Sequence, residues 1–148
     1  MIGSQVHVGL SKWSLGCCTL LLAACQSQSA DVNVVVFNYW PRALADVYVN
    51  GQWAGGGFSA YTETGGTGGS IFCCQKVAPG KVEVKWMLDG PSSDPLTGKT
   101  MSSSSELVSI KPKADYLGVY LYPDGTVALD TARGIPDDRL PPANPSKP

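Results

Sequence analysis

The 148-residue chain carries 11 Lys and Arg against 12 Asp and Glu, a formal charge of −1, so it has no basic footprint for nucleic acid. Its single histidine, His7, falls in the N-terminal leader. The rest can build neither a Ser-His-Asp nor a Cys-His nucleophile nor a histidine-ligated metal site, and the expectation is a protein that is no enzyme and needs no cofactor.

In the leader, one basic residue, Lys12, precedes an apolar run over residues 13–24. A helix needs ~20 residues to cross a bilayer, so this run reads as the h-region of a secretory signal. It ends in Leu22-Ala23-Ala24-Cys25, which resembles the lipobox of bacterial lipoproteins. The resemblance implies cleavage before Cys25 and a diacylglycerol on its sulfur; the other reading is an ordinary signal peptide cut elsewhere. Each buried CH₂ adds ~0.8 kcal/mol, so several acyl chains anchor a protein without a transmembrane helix. Gln26 stands where an aspartate signals inner-membrane retention, so the expected address is the outer membrane, facing the periplasm. The expected division is a signal peptide over 1–24, a lipidated tether over 25–31, a β-domain over 32–131 and a proline-rich tail over 132–148.

Short strands separated by turn residues follow. Residues 31–40, DVNVVVFNYW, are rich in β-branched and aromatic side chains. Residues 45–55, ADVYVNGQWAG, spell a hairpin with Asn50-Gly51 at a type I′ turn. The glycine-rich stretch over 54–70 has no periodicity and predicts a mobile loop. Residues 70–77 read as another strand, bounded by the turn APGK.

That strand holds Cys73 and Cys74 side by side. Cys17 and Cys18 leave with the leader and Cys25 would be acylated, so only this pair remains, in a compartment where disulfides persist. Successive strand residues point to opposite faces, so the pair cannot be two core residues. Two arrangements are open: a vicinal disulfide, which forces a turn into the backbone, or one buried and one exposed thiol. The spacing is not C-x-x-C, and there is no second cysteine pair, so no redox or metal role is expected.

Residues 81–88 alternate most cleanly: Val82, Val84, Trp86 and Leu88 on one face, Lys81, Glu83, Lys85 and Met87 on the other. Residues 91–105 read as a polar loop, then ELVSIKP and two strands joined at Pro123-Asp124-Gly125. The whole predicts an all-β fold, a small antiparallel β-sandwich or curled sheet of six to seven short strands.

Motifs for chemistry fail on inspection. Residues 96–100, LTGKT, end like a phosphate-binding loop, but the required glycine is Ser93. Asp137 and Asp138 are adjacent in the tail and cannot hold the separation that glycoside hydrolysis needs. The aromatics remain: Trp40 and Arg42 at a strand end, Trp53 past the Asn-Gly turn, and Tyr116, Tyr120 and Tyr122 on one strand face, with Leu117, Val119 and Leu121 on the other. Trp, Tyr and Arg carry most energy at protein interfaces, which makes these residues candidate partner contacts. The alternative for Trp40 and Trp53 is core capping; for the tyrosines it is cover by a second sheet or by loops.

Residues 37–57, FNYWPRALADVYVNGQWAGGG, and 68–86, with the Asn38-Tyr39 pair, the Val49-Asn50-Gly51 turn and the Cys-Cys strand, resemble, over about residues 35–86, a family of small bacterial lipoproteins of unknown function. Members look like immunity proteins encoded beside type VI secretion lipase effectors. The resemblance implies a protein that binds a phospholipase or lipase in the periplasm and blocks it, with Cys73 and Cys74 as a structural feature of the sheet. A structural envelope lipoprotein without a toxin partner is the other reading. Non-reducing alkylation followed by mass spectrometry separates the two cysteine arrangements: an unmodified pair supports the vicinal bond, and two alkylated thiols exclude it.

Overall fold

The β-branched run after residue 29 becomes strand β1 (Ala30–Asn38) in a computed structural model, which describes residues 28–62 and 70–138. The strands β2 (Leu44–Val49), β3 (Gln52–Phe58), β4 (Ile71–Val77), β5 (Gly80–Leu88), β6 (Thr100–Leu107), β7 (Tyr116–Leu121) and β8 (Val127–Ala132) follow, with no helix among the described residues. They form two four-stranded sheets, ordered β4-β1-β7-β8 and β3-β2-β5-β6. The fold is all-β and roughly a sandwich, as expected, with eight strands rather than six or seven.

Two strands run into segments that composition marked as loops, while residues 108–112 of the expected ELVSIKP strand are not extended into a sheet. Residues 54–58 of the glycine-rich stretch are the body of β3, and the serine run 102–105 lies inside β6. Pairing overrides propensity in each case: β3 is held by β2, and β6 by a continuous antiparallel register from Gly80↔Leu107 to Met87↔Thr100. Residues 63–69 of the expected loop lie outside the described residues, as do the leader and Cys25. One pairing is parallel: β1 and β7 run together from Asn33↔Tyr116 to Asn38↔Leu121.

The inner faces make the main core. Val32, Val34 and Val36 of β1 and Leu117, Val119 and Leu121 of β7 meet Val47, Val49, Val82, Val84, Trp86 and Leu88 from the other sheet. The alternation expected over residues 81–88 is present, with Lys81, Glu83 and Lys85 exposed. The hairpin turn forms as expected, with Asn50 and Gly51 at φ 48° and 78°.

The outer face of the β1 sheet is also apolar. Val35, Phe37, Tyr39, Tyr120 and Tyr122 form a second buried cluster, with Tyr61 and Tyr116 against it. Phe37 stacks on Tyr120 at 4.8 Å between centroids, and Tyr39 on Tyr122 at 5.5 Å. The tail contributes cover: the Tyr120 hydroxyl donates to the Asp137 carbonyl at 3.2 Å, and Pro136 is buried. The tail beyond residue 138 lies outside the described residues.

Trp86 is 1% exposed and meets Trp40 edge-on at 5.7 Å. Replacing Trp86 with Ala removes a large ring from the centre of the sandwich and is expected to cost about 3–5 kcal/mol. Urea-induced unfolding of the purified domain measures this.

Candidate functional site

Hydrogen bonding at the end of β1 decides where two candidates sit. The Asn38 side chain donates to the carbonyls of Arg42 and Ser59, at 2.9 and 2.8 Å, and its Oδ1 accepts from the Trp40 amide at 3.0 Å. The Trp40-Pro41-Arg42 turn is thereby folded back. Trp40 packs half-buried onto the main core, which is the capping alternative. Arg42 is committed too: its guanidinium donates to Asp94 at 2.7 Å and to the Thr97 hydroxyl at 3.2 Å, tying this turn to the loop between β5 and β6.

Tyr120 and Tyr122 are 1% and 8% exposed, buried beneath Tyr39, Tyr61 and the tail. Of the two alternatives for this face, the structure has it covered by loops. Tyr116 is half-buried at its margin. None of the three presents a free ring to a partner.

Trp53 is different. It is 50% exposed yet fixed on two sides: its indole N–H donates to Asp46 Oδ1 at 2.7 Å, and its ring meets Phe72 edge-on at 4.6 Å. Trp53 lies opposite Tyr48, roughly 13 Å along β2 from Leu44 at ~3.3 Å per residue, so it does not share a contact with Trp40 or Arg42 at the other end of the strand.

Two irregular edge strands build the place where Trp53 sits. On β3, Val47↔Gly55 is followed by Tyr48↔Trp53, which leaves Ala54 as an extra residue. Gly55, at φ 126°, offers bare backbone to the Phe72 and Phe58 rings; a Cβ there would collide with both. On β4, Val32↔Gln75 is followed by Val34↔Phe72, so Cys73 and Cys74 together face the single residue Asn33. This is a β-bulge, and Cys74 occupies it at φ 89°. The two sulfurs are joined as a vicinal disulfide, both cysteines are exposed, and the turn that such a bond imposes is this bulge. The buried Gln75 donates from Nε2 to the Trp53 carbonyl at 2.9 Å, linking the two strands across the sheets.

Trp53 is 50% and Ile71 49% exposed; half-buried Phe72 touches the Trp53 ring, whereas Ile71 opposes Val35 of the outer cluster and so lies on the other face of β4. Ile71 and Phe72 escaped the sequence reading because the bulge shifts the alternation of β4 by one residue. The adjacent cysteines were the available signal for that shift. Elsewhere, a pocket of about 230 Å3 lies beside Tyr120 and Ile135, with the Lys111–Asp130 ion pair at 2.8 Å in its wall. It is below the ~300–1,000 Å3 of ordinary small-molecule sites.

No family model, curated protein or solved structure matches this chain.

The Asp94 carboxylate lies below its ordinary value of 3.8, first because it accepts the Leu96 backbone N–H and then because Arg42 donates to it. A group with a depressed folded pKa contributes stability above its unfolded value and loses it as pH falls through the folded value. Acid unfolding below about pH 4 is therefore expected to include this carboxylate. Urea titrations between pH 2 and 6 should show a smaller acid loss in Asp94→Asn than in the parent protein.

Proposed function

We propose that this protein is a lipid-anchored domain of the outer membrane, facing the periplasm, that binds and neutralises a phospholipase or lipase effector of a type VI secretion system. The single observation that supports a binding role is Trp53. A large aromatic ring is left half in solvent, and it is held by Asp46 and Phe72, so little side-chain freedom is lost when a partner covers it. Rigid aromatic anchors of this kind carry a large share of interface energy. The effector as partner, and the anchor at Cys25, rest on the resemblances of residues 22–25 and 35–86.

On this reading Trp53, propped by Phe72, is the contact centre, and inhibition works by occlusion of the lipase mouth or of its membrane-docking surface. Trp40, Arg42, Tyr120 and Tyr122 serve the fold beneath.

The test mixes residues 26–148, without lipid, with the lipase encoded beside the gene and follows co-elution and phospholipid hydrolysis. Stoichiometric co-elution with loss of hydrolysis is expected. Trp53→Ala is expected to weaken the complex by about 2 kcal/mol, or roughly 30-fold, with thermal stability little changed. In cells, Cys25→Ser is expected to release the protein from the membrane fraction. Undiminished hydrolysis by a folded pair would rule the effector reading out.

A further inference from the structure

The bulge on β4 does more than accommodate two cysteines. It decides which way the first half of the strand faces. Ala30↔Val77, Asp31↔Lys76 and Val32↔Gln75 form an unbroken register. If that register simply continued, Asn33 would oppose Cys74, Val34 would oppose Cys73 and Val35 would oppose Phe72. Instead the extra residue puts Phe72 opposite Val34 and Ile71 opposite Val35. Because side chains alternate with period two, a one-residue shift exchanges the faces of Phe72 and Ile71.

Both faces are prepared for an aromatic ring. In the bulged register Phe72 shares the inner face with Val34 and lies over the bare backbone of Gly55, against Trp53. In the straight register it would lie opposite Val35, a member of the outer cluster with Phe37, Tyr39 and Tyr120. What holds the bulged form is the bond between neighbouring sulfurs, since Cys74 at φ 89° takes a backbone position that bulges ordinarily give to glycine. Both cysteines are exposed on an edge strand, within reach of a thiolate in solution.

We infer that Cys73–Cys74 is a thiol–disulfide exchange site whose redox state sets the register of β4 and, through it, the composition of the Trp53 edge. The co-reactant is a dithiol. One of its thiolates attacks a sulfur of the pair, the Cys73–Cys74 bond breaks, and the second dithiol sulfur displaces the mixed disulfide. Two electrons and two protons pass to Cys73 and Cys74, and the dithiol leaves as a disulfide. With the bond open, Cys74 relaxes to extended backbone, Phe72 moves opposite Val35, Ile71 turns inward and Trp53 loses its ring partner. The register change stands independently of the effector reading; only its consequence for a lipase complex rests on that reading.

NMR of residues 26–148 measures the register directly. The untreated protein, with no alkylatable thiol at residues 73 and 74, is expected to show cross-strand contacts between Val34 and Phe72. With excess dithiothreitol and two alkylatable thiols, the Phe72 contacts are expected to move to Val35. Two variants guard against simple unfolding on reduction. Cys74→Gly keeps a residue suited to positive φ and should retain the Val34–Phe72 contact with or without reductant, whereas Cys73→Ser/Cys74→Ser should adopt the Val35–Phe72 contact. The inference is overturned if the untreated protein alkylates at both cysteines. It is also overturned if the reduced protein and the double serine variant keep Phe72 opposite Val34, or if both unfold.

Discussion

A buried primary amide has to find its partners inside the protein, and Asn38, with no exposed surface, finds three. Those partners belong to different parts of the chain. The Trp40 amide and Arg42 carbonyl lie in the crossover from β1 to β2, which passes from one sheet to the other, and the Ser59 carbonyl lies just after β3. One side chain at the end of β1 thus fixes the crossover and the exit of the next hairpin. Removing it would leave buried polar groups unpaired, at about 1–3 kcal/mol each. The Trp40 ring is delivered to Trp86 by the same turn, and Arg42 reaches Asp94 from it, so the closure of the sandwich at this end follows from that amide.

Strand β1 carries the rest of the architecture because it is buried on both faces. It pairs with β4 on one side and β7 on the other, and its residues alternate between the main core and the aromatic outer cluster. A near-continuous apolar run, VNVVVF, is what such a central strand requires, and the sequence shows it. The neighbouring β7 repeats the arrangement, with Leu117, Val119 and Leu121 inward, Tyr116 and Tyr120 outward, and Tyr122 joining the outer cluster just past its end.

Local pattern made some elements legible and hid others. β5 and the Asn50-Gly51 hairpin declare themselves because alternation and turn chemistry are local properties. β6 does not: serine has no strand preference, and only its long pairing with β5 makes the run extended. β3 hides for a different reason, since Gly55 leaves room for the Phe72 ring, a demand set by a residue far along the chain. The same holds at the candidate site. Trp53 is visible as an aromatic after a turn, but its neighbour Phe72 depends on a phase shift that no periodicity carries across the cysteine pair. The parallel pairing of β1 with β7 has no local signature at all. Nor did the tyrosine face of β7 reveal its cover, because that cover comes from Tyr39, Tyr61 and the tail.

Two bulges at one edge are a costly arrangement for a small sheet, since each leaves a ladder position unpaired. Here they compensate one another. The bulge on β3 turns Trp53 outward while keeping Ala54 buried, and the bulge on β4 turns Phe72 inward to support the Trp53 ring. Gln75 then reaches from one strand to the carbonyl of the other, so the edges of the two sheets are linked through a side chain where the backbones do not pair. An exposed edge of two sheets ordinarily invites uncontrolled strand addition. Irregular strands crossed by a fixed aromatic ring resist that and still leave apolar surface exposed at Trp53. The same distortions therefore oppose indiscriminate pairing at this edge while leaving the Trp53 ring half in solvent, and the adjacent cysteines form one of them.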